Sequence, residues 1–190
     1  MFSSSQRGTD SLAYPKMAAL IRIDRQWTAP DSEGARPIRF CSRCGEPSNV
    51  PPRAQVQVGR DRVCSMCGMG LMLSCTRDAL PGSAAVFMVF NFELTVGAVS
   101  EAAERVFGPE QDLLGAHLLD VLTSPMGDEH FGSHVARATQ RATEPTIMPI
   151  RAVQPHAAAG ATGTMAGRIA TCGPPRAALV TMEPSNFGRR

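Results

Sequence analysis

Four cysteines hold the chemistry that this chain's spacing makes most legible. They form two pairs, Cys41-Ser-Arg-Cys44 and Cys64-Ser-Met-Cys67, with nineteen residues between them. Two residues between cysteines let both thiolates of one turn reach the same ion, and two such turns complete a tetrahedron around Zn²⁺. Gly45 and Gly68 follow the second cysteine of each pair, where the chain must turn sharply and point backbone N–H groups at sulfur. The alternatives are two disulfides or four free thiols. No secretory h-region precedes the pairs; Met17-Ala-Ala-Leu-Ile21 is too short for one. A cytoplasmic location is expected, and reduced thiols there favour metal over disulfide. A shell of Cys41, Cys44, Cys64 and Cys67 leaves no open coordination position, so one structural Zn²⁺ per chain is expected, with no catalytic role.

Other reactive or charged side chains are weaker candidates. The net charge of the 190 residues is only +2, but residues 36–80 carry seven Arg against three acids, a formal +4, and residues 81–190 carry eight Arg against ten acids, a formal −2. Arg39, Arg43, Arg53, Arg60 and Arg62 are the candidate contacts to a nucleic acid or a protein partner. Phosphate contacts by these arginines would make binding fall steeply with salt. Phe40 is the module's sole aromatic residue, which makes a poor stacking platform for bases. Cys75 and Cys172 have no base beside them in the pattern and read as packed or surface thiols. Met66, Met69 and Met72 read as packing around the second pair. No triad, phosphate-binding loop or paired-carboxylate site is present, so an enzyme is not expected.

The elements that position these residues change character along the chain. Residues 1–35 are polar and Ser-rich and read as largely disordered; Met17 is an alternative start. A metal module spans 36–80. Within it Ala54-Gln-Val-Gln-Val58 alternates and Gly59-Arg-Asp61 turns, which predicts a β-hairpin between the cysteine pairs. From residue 81 to 184 a larger α+β domain follows, with a tail over 185–190. Ala84–Phe90 is an apolar run of strand length, buried on both faces. Leu94–Val99 is a second strand. Ser100 caps a helix over Glu101–Phe107, which Gly108-Pro109 ends. A short segment over Gln111–Leu114 ends at Gly115. Asp128 caps a longer helix to about Arg141, with Phe131, Val135 and Ala138 on its apolar face. His130 and His134 share the opposite face with Arg137 and Arg141, so solvent exposure is expected; a metal is the alternative. Strands over Thr146–Val153, Thr164–Cys172 and Arg176–Glu183 follow, with Pro149 demanding an edge or a bulge.

The hairpin with a cysteine knuckle at each end resembles a zinc ribbon. The run Phe87-Met-Val-Phe-Asn-Phe-Glu-Leu-Thr-Val-Gly-Ala-Val-Ser-Glu-Ala-Ala-Glu-Arg-Val-Phe-Gly108, followed by Asp112-Leu-Leu-Gly115, resembles the opening of a PAS domain. Ser100 stands where that family often has Asn. The resemblance covers about residues 84–184. It implies a five-stranded antiparallel sheet of order 2-1-5-4-3 with helices on one face, and it puts Pro149 in an edge strand. It also implies a pocket for an unidentified small ligand. The flavin signature Asn-Cys-Arg-Phe is absent, because the matching stretch is Phe107-Gly-Pro-Glu-Gln111. Haem-binding members use a His on the long helix, which makes His130 and His134 the residues to watch.

Together these features predict a non-enzymatic sensory or regulatory protein, acting in signal transduction or transcription regulation. Its PAS-like domain would sense a ligand or form a homodimer, and its ribbon would contact a protein partner. A nucleic-acid-binding ribbon and a zinc–thiolate redox switch are the alternatives. No membrane association is expected, since no run approaches the roughly 20 apolar residues of a span.

Overall fold

The computed structural model describes residues 37–48, 62–141, 144–153 and 163–184. The expected hairpin over 54–58, the N-terminal segment 1–35 and the tail 185–190 lie outside the described residues. Two antiparallel sheets are present. The small one has order β2-β1-β3, built from β1 (Ile38–Cys41), β2 (Pro47–Ser48) and β3 (Met72–Cys75). Its strands therefore flank the cysteine pairs, with β1 running into Cys41 and β3 leaving the second pair. A 3₁₀ turn at Arg77–Ala79 leads to the larger domain.

The large sheet is curled and has order β5-β4-β9-β8-β7-β6. Its strands are β4 (Val86–Phe90), β5 (Val96–Val99), β6 (Leu122–Thr123), β7 (Thr146–Ala152), β8 (Met165–Cys172) and β9 (Ala177–Pro184). Six strands replace the five expected. The extra one, β6, has two residues, too few to show any period, and pairs Leu122 with Ala152 and Thr123 with Arg151. Strand β7 is therefore flanked at one end instead of forming a bare edge. Pro149 pairs with Ala166 of β8, while its carbonyl accepts the Ser124 hydroxyl at 2.7 Å, beyond the short reach of β6. Its nitrogen faces the same side as its carbonyl, so the missing N–H removes no bond to β8.

The helices are α1 (Glu101–Phe107), α2 (Glu110–Leu113), α3 (Leu118–Val121) and α4 (Asp128–Gln140). Ser100 caps α1 as expected. Its hydroxyl accepts from Ala103 N–H at 3.1 Å and Phe87 N–H at 3.0 Å and donates to the Ala85 carbonyl at 3.0 Å, so it also fixes α1 to β4. The cap of α4 is Gly127, at φ 102°, not Asp128. Asp128 sits in the first turn, where its carboxylate accepts from Thr123 and Ser124 and ties α4 to β6.

Alternation along the central strands sorts the core into two layers. Met88 and Phe90 of β4, Val180 and Met182 of β9 and Ile169 of β8 face the helices, where Phe107, Leu118, Phe131 and Val135 close over them. Phe87, Val89, Leu179, Ala170 and Cys172 face the other way and meet Phe40, Leu73, Cys75 and Ala79 of the cysteine module. Strand β4 is thus buried on both faces, which explains its unbroken apolar run. The module lies on the sheet face opposite the helices, with the Phe40 and Phe87 rings edge to face at 5.9 Å. No helix among the described residues is long and apolar enough to cross a membrane.

Candidate metal centre

Each cysteine pair forms a tight knuckle, and the two repeat one hydrogen-bond pattern. Cys41 N–H donates to the Glu46 carbonyl at 3.0 Å and Gly45 N–H to the Cys41 carbonyl at 3.0 Å; Cys64 N–H donates to Gly70 at 2.8 Å and Gly68 N–H to Cys64 at 2.9 Å. Gly45 and Gly68 adopt φ of 75° and 71°, the left-handed conformation that glycine takes without steric cost. Ser42 joins the knuckles: its N–H donates to the Leu71 carbonyl at 2.8 Å, and its hydroxyl accepts from Leu71 N–H at 3.0 Å.

The four sulfurs consequently converge, all within 4.8 Å of one another. Cys41 and Cys67 Sγ lie 3.6 Å apart, and Cys44 and Cys64 Sγ 3.9 Å. Metal–sulfur bonds of about 2.3 Å in a tetrahedron require sulfur–sulfur edges of about 3.8 Å. The arrangement suits a soft, four-coordinate cation with no vacant position. Backbone N–H groups point at the sulfurs: Arg43 and Cys44 at Cys41 (3.3 and 3.4 Å) and Gly70 at Cys67 (3.4 Å). Such donors offset charge on thiolates.

The electrostatics without a cation are uneven. Hydrogen bonds from the backbone of Met69 and Gly70 hold the Cys67 thiol down at about 6. Burial pushes Cys41 up to about 12 and raises Cys44 as well. Four thiolates this close together, two buried and two half-buried, repel one another; a divalent cation among them would supply the compensating charge.

Gly70 is a site residue that sequence reasoning missed. A Cβ there would collide with Cys41 Sγ and come within 2.9 Å of Arg43 Cβ and 3.0 Å of Arg43 N. Its only sequence signal was its position three residues after Cys67. Arg43 also has a role its position did not reveal. It stands between two ligands, and its guanidinium bridges Glu104 at 3.1 Å and Glu110 at 2.7 Å. Its carbonyl accepts Glu101 N–H at 2.9 Å, the first free donor of α1. The first knuckle is thereby anchored to the start of α1 and to α2.

The remaining expected site residues are scattered. Arg39 is buried within β1, Arg62 is exposed beside the second knuckle, and Arg53 and Arg60 lie outside the described residues. His130 and His134 stack edge to face, with centroids 4.6 Å apart, on the outer side of α4. Burial, then the neighbouring charges of His130 and Arg137, lowers the His134 pKa. Met66 and Met69 are 74 % and 67 % exposed rather than packed, and with Val63 and Leu71, which pair across the knuckle, they form an apolar tip.

No family model matches the chain, and no curated protein matches it.

Proposed function

We propose that this chain is a non-enzymatic regulatory protein, in which a structural zinc ribbon mounted on a PAS-like domain presents a contact surface to a protein partner in signalling or transcription regulation. The closed all-cysteine donor set and its sulfur spacing support zinc in a structural role. The paired knuckles and the β2-β1-β3 sheet support the ribbon. The sheet order, with its helices on one face and the Ser100-capped α1 after the first two strands, supports the PAS-like reading.

One observation carries the choice of partner. The second knuckle turns Val63, Met66, Met69 and Leu71 outward, while Arg43 is spent on Glu104 and Glu110 and Arg39 is buried. Exposed apolar groups clustered on one small element mark protein contacts, and methionines adapt to an apolar segment of another protein. Two of the five arginines that a phosphate track would use, Arg39 and Arg43, are thus drawn inward, which weighs against nucleic acid. Large buried side chains fill the space between helices and sheet, so a ligand there must displace Phe or Leu side chains. That favours partner contact over ligand sensing. The sheet face opposite the helices carries the ribbon.

A photo-cross-linking residue at position 66, compared with one at the exposed Glu93, tests this in the cells that make the protein. A discrete protein adduct from position 66 alone is expected. Adducts from neither position, or nucleic-acid binding with a steep salt dependence, would overturn it.

A further inference from the structure

Two cysteines outside the metal cluster meet at the seam between the ribbon and the large sheet. Cys75 ends β3 and Cys172 ends β8. They are 1 % and 0 % exposed, and both belong to the apolar cluster that fills the seam. Beside them, Ser74 and Gly173 form an antiparallel bridge: Ser74 N–H donates to the Gly173 carbonyl at 2.6 Å, and Gly173 N–H to the Ser74 carbonyl at 3.0 Å. In an antiparallel pair, one step forward on one strand meets one step back on the other. Cys75 therefore stands opposite Cys172.

The kind of pair matters. Ser74 and Gly173 exchange both hydrogen bonds, so the next pair is of the non-hydrogen-bonded type, with Cα atoms about 4.5 Å apart. Disulfides close over Cα separations of roughly 4.4–6.8 Å. Side-chain direction agrees. Along β8, Ile169 faces the helices while Ala170 and Cys172 face the seam; along β3, Leu73 and Cys75 face it too. Burial first, and then the nearby Cys75, raises the Cys172 pKa, in keeping with that placement.

We infer that Cys75 and Cys172 form a cross-strand dithiol that oxidises to a disulfide, a redox modification site fastening the ribbon to the sheet. The co-reactant is a small-molecule disulfide such as oxidised glutathione. A thiolate of the pair attacks one glutathione sulfur, breaks its S–S bond, and expels one glutathione thiolate. The second cysteine then attacks the protein sulfur of the mixed disulfide and expels the other. Two protein thiols are oxidised, one small disulfide is reduced to two thiols, and the two protons pass to the departing glutathiones. Both sulfurs are buried, so the exchange runs through brief openings of the seam and is slow in the closed form. The four clustered cysteines, held on a metal, are a separate set. The disulfide would close a loop of 97 residues, from 172 − 75, and by chain entropy raise Tm by roughly 10 °C.

The test uses the full, metal-loaded chain in glutathione buffers of rising oxidised fraction. Urea is kept below the unfolding midpoint to speed the openings, and incubation continues until the free-thiol count is constant. Denaturing alkylation and peptide mapping then locate every thiol. Two thiols should be lost per chain, a Cys75–Cys172 linked peptide should appear, the metal should stay bound, and Tm should rise. Cys75→Ser and Cys172→Ser should each abolish the linked peptide; if either fails to fold, the wild-type map decides alone. Cys75 and Cys172 both alkylated as free thiols in the most oxidising buffer, each carrying its own glutathione, or joined to a cysteine of the metal cluster, would overturn the inference.

Discussion

Gly70→Ala separates the metal geometry from every other feature of the fold. Gly70 does not need a left-handed backbone, since it is not among the glycines of positive φ. An alanine there meets no conformational penalty of its own. What it meets is Cys41 Sγ, with Arg43 Cβ at 2.9 Å and Arg43 N at 3.0 Å. These atoms belong to the facing knuckle, so the two knuckles must part. Overpacking of this kind costs about 1–3 kcal/mol. The Gly70 N–H donated to Cys67 Sγ at 3.4 Å is lost or bent as the knuckle moves, and a hydrogen bond to a charged group contributes about 1.5–3 kcal/mol. At about 1.4 kcal/mol per tenfold, a total near 3–5 kcal/mol weakens metal binding roughly 100- to 3000-fold. Gly68→Ala is the control. Nothing lies within 4 Å of its Cβ, but φ is +71°, so it costs only about 1–2 kcal/mol of backbone strain. Competition against a chromophoric zinc chelator, with circular dichroism to check the large domain, ranks the two. Wild-type affinity in Gly70→Ala, or a larger loss in Gly68→Ala, would refute the close-approach argument.

Three further outcomes follow from single residues. Ser100→Ala removes the cap of α1 and leaves Phe87 N–H and the Ala85 carbonyl without their partner in the interior; a loss of about 2–4 kcal/mol is expected in denaturant unfolding, and a loss under 0.5 kcal/mol would contradict it. The Thr181 hydroxyl is buried with no hydrogen-bond partner, so Thr181→Val should stabilise by about 1 kcal/mol in the same assay, with destabilisation the contrary result. The His134 pKa is held low by burial and by His130, so NMR titration should place it below the ordinary 6.5, and His130→Asn should raise it. With its folded pKa depressed, the histidine's unfolded form binds protons more readily, and His134 costs stability as pH falls through the unfolded value; an unchanged His134 titration in His130→Asn would rule out their coupling.

The metal site was legible because it is local. Two CxxC pairs and the glycines after them state both ligands and turns within five residues each, 41–45 and 64–68. The large domain's strands were legible where periodicity or an apolar run extended over five or more residues, as in β4, β8 and β9, and Ser100 announced α1. Strand β6 was not legible, because two residues carry no period. The helix start at Gly127 was assigned to its neighbour Asp128, since an acid in the first turn and an acidic cap look alike in sequence. Arg43 and Gly70 were misread or missed for a different reason. Their partners, Glu104 and Glu110 for Arg43 and Cys41 for Gly70, lie 61, 67 and 29 positions away, and no local pattern encodes a contact across the fold. The same holds for Cys75 and Cys172, neighbours only because β3 lies against the end of β8.

The central claim is that Cys41, Cys44, Cys64 and Cys67 hold one zinc ion in a closed structural shell. X-ray absorption spectroscopy on freshly purified chain, with elemental analysis of the same sample, tests it most directly. One zinc per chain with four sulfur scatterers at about 2.3 Å is the result expected. Chain free of metal with its cysteines paired as disulfides, or a zinc shell containing nitrogen or oxygen, would contradict it.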